Sequence, residues 1–190
     1  ARGELRNRAP DLFTAGMYSV IGMGVPTLRN KLCVRQVPKE PTPAPPQNLA
    51  AVEDLALLYY AGLFSQRPRN ASNLQALVGD YFQLPARVLQ FQGQWLRLDS
   101  GNQSRVTAAA GNNCLGTNVV VGQRVWDVQN KFRIRIGPLT YRQFVEFLPE
   151  KTVSSESKSL FLLSHLVRLY VGPEFDFDVQ MVLLADEVPA

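Results

Sequence analysis

Few side chains in this sequence are of types that carry out catalysis, and their spacing does not bring them together. His165 is the single histidine, and a histidine acting as a general base needs a nucleophile and an orienting carboxylate, which no motif here supplies. Asp176 and Asp178 are two residues apart on a predicted strand, so both face one side. That arrangement suits a cation or acid–base work, but it is also typical of a solvated polar face. We therefore predict that the protein is not an enzyme.

Metal and cofactor motifs are also missing from the sequence. The two cysteines, Cys33 and Cys114, lie far apart and belong to no CxxC or Cys/His cluster. Their spacing fits neither a disulfide framework nor a zinc site, so reduced thiols are the simpler interpretation. The Gly-Met-Gly at 22–24 is only a fragment of a phosphate-binding loop and is better explained as a helix stop. We expect no metal and no cofactor.

Composition limits the class of protein further. The chain has 190 residues, 46% of them hydrophobic, which is enough for one or two small domains with a real core. Its net charge of +4 is too small to indicate a nucleic-acid-binding protein by itself. The most apolar windows, 55–64 and 160–171, are shorter than the ~20 residues of a membrane span. These features predict a cytoplasmic fragment without direct membrane insertion.

The first half of the chain contains three predicted helices and one strand. A helix after Asp11 would bury one face, and a Pro-rich linker follows at 37–47. The segment 48–64 is apolar almost all round, which predicts a buried helix, and Asn70 is a predicted N-cap of the next helix. A strand with a bend at Gly93 should follow. The predicted buried positions are Phe13, Met17, Val20 and Ile21, then Leu74, Leu77, Val78 and Tyr81, then Leu89, Phe91 and Trp95.

The second half predicts a strand, two helices and a final strand. Phe132, Ile134 and Ile136 alternate with basic residues, and Thr140 is a predicted helix cap. Ser154 or Ser155 would open the next helix. The final strand should point Phe175, Phe177, Val179, Met181 and Leu183 inward. Trp126, which directly precedes the basic strand, is predicted to be buried beneath it.

These elements indicate an α+β fold with two small helix-helix-strand units. We assign 1–47 to an N-terminal helix and the Pro-rich linker, 48–130 to the first unit with its long polar loop, and 131–190 to the second unit. The segments Leu74 to Leu96 and Leu163 to Leu184 have a similar pattern. An internal duplication is therefore a further hypothesis, and it would predict a second polar loop after Leu184.

Two polar features are candidates for binding a partner. The segment Asp99 to Asn113 is long and poor in large apolar residues, which is typical of a loop that becomes ordered on a partner. The strand after Asn130 has a basic face, which suits an acidic protein surface or, as the alternative function, nucleic acid bound at Lys131 to Arg135. The candidate residues are Asp99, Asn102, Gln103, Arg105, Asn112, Asn113, Arg133 and Arg135.

Several short segments also occur in a characteristic order. They are LLYYAGL (57–63), RPR (67–69), DYF (80–82), NCLG (113–116), GQRVWD (122–127), KFRIRIGPL (131–139), FLP (147–149) and VRLYVGPE (167–174). In this order they resemble the TssG family, the baseplate wedge subunits of the bacterial type VI secretion system. No single segment is diagnostic, but their shared order covers most of the chain. Family members extend further at both ends.

The resemblance implies a structural function rather than a catalytic one. A TssG-like chain is expected to join two TssF copies, TssE and two TssK trimers in a hetero-oligomeric wedge that is related to the wedges of contractile phage tails. It also implies a position at the cytoplasmic side of the inner membrane, reached through the baseplate, and no role in binding nucleic acid. The polar loop would then be a TssK-binding segment.

Overall fold

A computed structural model describes residues 11–35, 48–105, 112–148 and 158–188. Its helices are α1 (Leu12–Val20), α2 (Asp54–Tyr59), α3 (Ala61–Ser65), α4 (Ala71–Phe82), α5 (Tyr141–Glu146) and α6 (Lys158–Val171). Its strands are β1 (Cys33–Arg35), β2 (Asn48–Ala51), β3 (Ala86–Leu89), β4 (Gln94–Arg97), β5 (Arg124–Asp127), β6 (Lys131–Leu139) and β7 (Asp176–Leu183). Short 3-10 turns occur at Pro26–Leu28 and Ala185–Glu187. The predicted α+β class is confirmed.

A three-stranded sheet with the order β3-β6-β7 forms the centre of the fold. Strand β6 runs antiparallel to β3 and parallel to β7. Parallel neighbours cannot be joined by a tight turn, and the chain accordingly passes through α5 and α6 between β6 and β7. The predicted alternation of β6 is confirmed, because Phe132, Ile134 and Ile136 are buried.

The helices that cover this sheet begin where their capping residues predict. The side chain of Asn70 accepts a hydrogen bond from the backbone N–H of Asn73 at 2.7 Å, which caps α4. Thr140 and Gln143 form a capping box at the start of α5. These side chains satisfy backbone donors that the first turn of a helix leaves unpaired. The predicted opening of α6 at Ser154 or Ser155 lies outside the described residues, as does the Pro-rich segment 37–47.

One hydrophobic core joins the two halves of the chain. Leu77 of α4, Ile134 of β6 and Leu166 of α6 are all fully buried in it. Strands from both predicted units also share the central sheet, since β3 pairs with β6. The division of the chain at 130/131 therefore separates segments that pack together, and as a domain boundary it stays a prediction.

Strand β6 contains a glycine that no other residue would replace easily. Gly137 has φ +131°, a region that residues with a side chain rarely adopt, and a Cβ placed there would lie 2.3 Å from the carbonyl oxygen of Val182. The register between β6 and β7 is irregular at this point, between Ile136 and Leu139. The backbones of β6 and β7 can therefore approach this closely only because Gly137 has no side chain.

The structure corrects the prediction for the region before α2. Residues 48–51 form strand β2, which pairs antiparallel with β1, and helical structure begins only at Asp54. Pairing with β1 gives this segment the backbone hydrogen bonds that a helix would otherwise supply. The helices α2 and α3 are also not buried all round, because Leu55 and Tyr59 are exposed.

The predicted inward face of α1 is only partly correct. Phe13 and Val20 are exposed, whereas Tyr18, Ile21 and Met23 are buried. The chain bends after Val20, and the turn that follows the helix contributes Ile21 and Met23 to the core. Phe175, predicted to point inward, is 39% exposed and precedes β7, which begins at Asp176.

The duplication hypothesis receives no support from the strand directions. The strand that follows α4 lies antiparallel to β6, whereas the strand that follows α6 lies parallel to it. The predicted strand through Leu89, Phe91 and Trp95 is moreover divided between β3 and β4, which belong to different sheets. The predicted bend occurs at Phe91, with φ +57°, and just before Gly93.

Candidate partner-binding surface

A two-stranded arm, formed by β4, β5 and the segment that connects them, projects from the antiparallel pair of β3 and β6. At its base the backbone N–H of Gln92 donates to the carbonyl of Lys131 at 2.9 Å. Strands β4 and β5 then pair antiparallel, and the N–H of Leu98 donates to the carbonyl of Gln123 beyond them at 2.9 Å. The arm is therefore a separate two-stranded sheet that is joined to the central sheet by backbone hydrogen bonding at its base.

Two tryptophans lie opposite each other on this arm. Trp95 and Trp126 are directly paired across the strands, with ring centroids 5.2 Å apart in a T-shaped contact. Both are exposed, Trp95 to 61% and Trp126 to 52%. The predicted burial of Trp126 under the basic strand is wrong, because its indole packs on the arm and beside Gly93. A Cβ at Gly93 would lie 1.9 Å from Cζ2 of Trp126.

Basic side chains lie next to this tryptophan pair. Arg97 faces Arg124 at the end of the same ladder, and both residues are exposed. Like charges directly opposite each other destabilise a sheet, and no described carboxylate forms an ion pair with either of them. Exposed aromatic and arginine side chains together are the composition enriched at protein contacts.

The predicted loop residues lie together at the outer end of the arm. Gln103 Nε2 donates to the carbonyl of Leu98 at 2.8 Å, and Arg105 Nη2 donates to that of Ser100 at 3.4 Å. Asn112 Nδ2 donates to the carbonyl of Gly101 at 3.2 Å, which connects the two sides of the loop. Turns at Asp99–Asn102 and around Cys114 shape the tip, where Asn113 also lies. Residues 106–111 of the loop lie outside the described residues.

The loop is not purely polar where it returns toward β5. Leu115 and Val121 are almost fully exposed, at 92% and 93%. The backbone N–H of Val120 donates to Ser104 Oγ at 2.8 Å, which fixes this returning segment against the outgoing one. The returning segment therefore presents single exposed apolar side chains, which are common on protein surfaces and do not by themselves mark a contact.

The two predicted strand residues, Arg133 and Arg135, belong to the central sheet rather than to the arm. Arg133 forms a bidentate ion pair with Asp178 of β7, with N–O distances of 2.6 and 2.9 Å, and Lys131 reaches the same carboxylate at 3.1 Å. Arg135 is exposed, opposite Arg87 of β3. Two of the three predicted basic residues thus share the single carboxylate of Asp178, while Arg135 stays exposed.

This ion pair predicts a dependence of stability on pH. The hydrogen bonds from Arg133, and then the Lys131 ammonium, hold the pKa of the Asp178 carboxyl below its usual range, although partial burial opposes them. A lowered folded-state pKa stabilises the fold above the unfolded-state pKa, and this contribution is lost as the pH falls through the folded-state pKa. We expect Asp178→Asn to lower the urea midpoint at pH 7, with a difference from the unmodified protein that shrinks progressively below about pH 4.

The matched control is Asp176→Asn on the same strand. Its carboxylate is 64% exposed and lies 3.5 Å from Arg168, so its removal should change the midpoint less. A difference for Asp178→Asn that persists undiminished as the solution is acidified would contradict this assignment.

The candidate catalytic residues are not assembled into a site. Asp176 and Asp178 are engaged in ion pairs, and His165 lies half-buried on α6. Within the described ranges, no group of three or more His, Cys, Asp or Glu side chains is placed to hold a metal ion. Of the helices in the described residues, none has the length and apolar character needed to cross a membrane.

Comparison with known protein families identifies the family of this chain. The family model for the type VI secretion protein TssG matches residues 3–190. The chain belongs to the TssG family. Among curated proteins, none matches this sequence significantly. The resemblance carried by the short segments from 57–63 to 167–174 is therefore confirmed at the level of the family.

The fold is similar to that of a chain in a solved assembly. That assembly is the TssK-TssF-TssG baseplate subcomplex of a type VI secretion system, determined by cryo-electron microscopy. The similarity has a TM-score of 0.67 at 18% sequence identity and covers 94% of this chain. This chain spans 64% of the length of the matched chain.

Sequence reasoning missed the tryptophan pair. The apolar pattern places Trp95 on the inward face of a strand that continues from Leu89, and Trp126 beneath the next strand. The signal that would have found the pair is the position of the two tryptophans on either side of one long polar segment. Residues that flank such a loop face each other when the two strands form a hairpin.

Proposed function

We propose that this protein is a structural component of a type VI secretion baseplate wedge, a scaffold that holds other wedge proteins rather than an enzyme. The observation that carries this proposal is the match of the TssG family model to residues 3–190. The fold similarity to a chain of the TssK-TssF-TssG subcomplex supports the same assignment. TssF and TssK are accordingly the proposed partners.

The architecture of the molecule supports a scaffold role. A single core and a central sheet give a rigid body, and the arm carries an exposed tryptophan pair, exposed arginines and a hydrogen-bonded tip away from that core. A rigid body presenting a preformed contact surface lowers the entropy lost on binding. We assign the arm, with Asp99, Asn102, Gln103, Arg105, Asn112 and Asn113 at its tip, to contact with TssK.

The finer stoichiometry follows from the family resemblance. We propose that one chain engages two TssF copies, TssE and two TssK trimers, and that the wedge sits at the cytoplasmic side of the inner membrane through the TssK-linked baseplate. The exposed apolar residues of α1, including Leu12 and Phe13, lie on an element other than the arm. They supply a surface for a partner other than TssK.

Deleting Gln103 to Gly111 tests the role of the arm. We expect the shortened protein to keep its thermal midpoint and its co-purification with TssF, because the deleted segment lies beyond the paired strands β4 and β5. Capture of TssK should fall at least tenfold, since the deletion removes Gln103 and Arg105 from the tip that we assign to TssK, together with the hydrogen bonds by which they shape it. Pull-down of TssF and TssK by the same full-length sample measures both effects at once.

Capture of TssF and capture of TssK together distinguish the role of the arm from the scaffold role of the whole protein. Unchanged TssK capture with the shortened loop would assign the arm another role. Failure of the unmodified protein to associate with TssF, TssK or TssE would overturn the scaffold proposal itself. A matched control replaces Gln103 to Gly111 by a Gly/Ser segment of the same length, which keeps the span between the strands.

The alternative function, a nucleic-acid-binding module, rests on Lys131 to Arg135. The ion pairs of Lys131 and Arg133 with Asp178 weaken this alternative, because the carboxylate offsets one positive charge and would repel phosphate groups. A steep dependence of DNA or RNA binding on salt concentration would favour it. Absence of binding at low salt would remove it.

A further inference from the structure

A cavity lies between the start of α4, the end of α6 and the strands β3 and β6. Its volume is about 310 Å³, roughly ten times the share of one water molecule in the liquid. Leu74, Val88, Phe132 and Val171 give it a mostly apolar lining. The space is large enough for one or two side chains of a bound peptide.

The side chain of Arg69 forms part of the wall of this cavity, and two of its nitrogens are buried without a described acceptor. The guanidinium of Arg69 lies over the rings of Tyr170 and Phe64, with its Cζ 4.9 and 5.3 Å from the two centroids. Its Nε and Nη1 atoms are buried, and neither has a hydrogen-bond partner in the described residues. A buried charge without an acceptor is costly, so native proteins normally pair such groups.

The described neighbours add positive charge and no negative charge. Burial lowers the pKa of Arg69, and the nearby Arg67 lowers it further. The other charged residue of the lining is Lys131, whose ammonium is already paired with Asp178. No Asp or Glu lies among the lining residues within the described parts of the chain. The cavity therefore combines an apolar floor with a guanidinium in its wall, two of whose nitrogens are enclosed and have no described acceptor.

The backbone around Arg69 is fixed rather than free to move away. The backbone N–H of Asn70 donates to the hydroxyl of Tyr170 at 3.4 Å, and the same hydroxyl donates to the carbonyl of Asn70 at 3.2 Å. The same Asn70 caps α4. Arg69 is thus held at its position by residues of both α4 and α6, which preorganises the guanidinium for an incoming acceptor.

We propose that this cavity binds an acidic segment of a partner protein, in which an Asp or Glu reaches Arg69 and an adjacent apolar side chain fills the floor. Arginine donates charge-assisted hydrogen bonds to carboxylates, and an apolar neighbour would complete the burial of the pair. The site lies next to the base of the arm, since Phe91 and Lys131 line it, and adds a second contact to the proposed scaffold. The cavity thus defines the segment that it binds as one with an acidic residue next to an apolar residue.

The probe is an array of synthetic 12-residue peptides with a central Glu and each amino acid in turn at the two flanking positions. A second array has Gln in place of the central Glu. We expect the full-length protein to retain peptides of the first array with Leu, Met or Phe beside the Glu, at least tenfold more strongly than their Gln counterparts. The best peptide should also shift the NMR signal of the Arg69 Nε–H.

Three substitutions test the location. Gln90 is exposed at the rim of the cavity, so Gln90→Glu should weaken the best peptide at least fivefold without disturbing the core. The matched control is Gln180→Glu, at an exposed position of β7 that does not belong to the lining, which should leave binding unchanged. Arg69→Lys keeps the charge but loses the guanidinium donors and should weaken binding at least tenfold.

The other outcomes overturn the proposal. Equal retention of Glu and Gln peptides would indicate an apolar cavity without carboxylate recognition. No retention by either array, with an unmoved Arg69 Nε–H signal, would indicate that the guanidinium serves only the packing of Phe64 and Tyr170. No baseplate protein is used in these measurements, so their failure leaves the scaffold proposal unaffected.

Discussion

Replacing Gly137 by Ala is expected to lower the free energy of unfolding by about 3 kcal/mol, the lower half of the range for a strained backbone combined with overpacking. The added Cβ would meet the backbone carbonyl of Val182 at 2.3 Å, and φ +131° disfavours any side chain. Neither problem is relieved by a side-chain rotation, because both arise from backbone atoms. Since β6 and β7 form the centre of the fold, the strain should act on the whole core.

Thermal and urea unfolding measure this effect. A loss of about 3 kcal/mol corresponds to a decrease of roughly 6–12 °C in Tm for a domain of this size. The control is Gly62→Ala on α3, where an added Cβ meets nothing within 4 Å. Alanine is favoured over glycine in a helix by about 0.5–1 kcal/mol, so the control should be neutral or stabilising. Equal midpoints for both variants would contradict the proposed backbone contact.

Replacing Trp126 by Ala is expected to weaken TssK capture by about thirtyfold while leaving the protein folded. An aromatic residue at the centre of a contact commonly contributes about 2 kcal/mol to binding, which corresponds to that factor. The indole is half exposed, and its described contacts are Trp95 and Gly93 on the arm. Its loss should therefore cost only about 1 kcal/mol of stability, rather than the ~3–5 kcal/mol of a buried tryptophan.

The matched control is Tyr59→Ala, an aromatic residue exposed to 78% on α2. It removes a similar exposed ring from outside the arm and should leave TssK capture unchanged. The thermal midpoint and the dissociation constant for TssK need to be measured on the same preparations. A Trp126→Ala protein that loses its cooperative transition would show that the indole supports the core instead.

The elements that depend on local interactions followed directly from the sequence. Asn70 and Thr140 cap helices because each side chain bonds to a backbone group only three residues away. The inward alternation of Phe132, Ile134 and Ile136 is a property of any strand with one buried face. The order of short segments similarly identified the family, which the family model confirms.

Part of the candidate site followed in the same way. A long polar segment between apolar strands predicts a surface loop, and the described residues of 99–113 do form the tip of the arm. Their role in binding TssK stays a prediction. Arg133 was predicted on a second feature, the basic face of an alternating strand, and the structure places that residue in an ion pair with Asp178 in the central sheet.

The remaining features depend on residues distant in sequence. Residues 48–51 form a strand because β1 provides backbone hydrogen-bond partners for them, an interaction that helix propensity does not take into account. Trp126 is exposed because β5 pairs with β4 and not with β6. The guanidinium of Arg69 is buried only because Phe64 and Tyr170 meet around it. Capping and alternation thus sufficed to predict several helices and strand β6, and the order of short segments the family, because these signals depend on neighbours in sequence. Pairing between distant segments sets which side chains are buried, ion-paired or exposed.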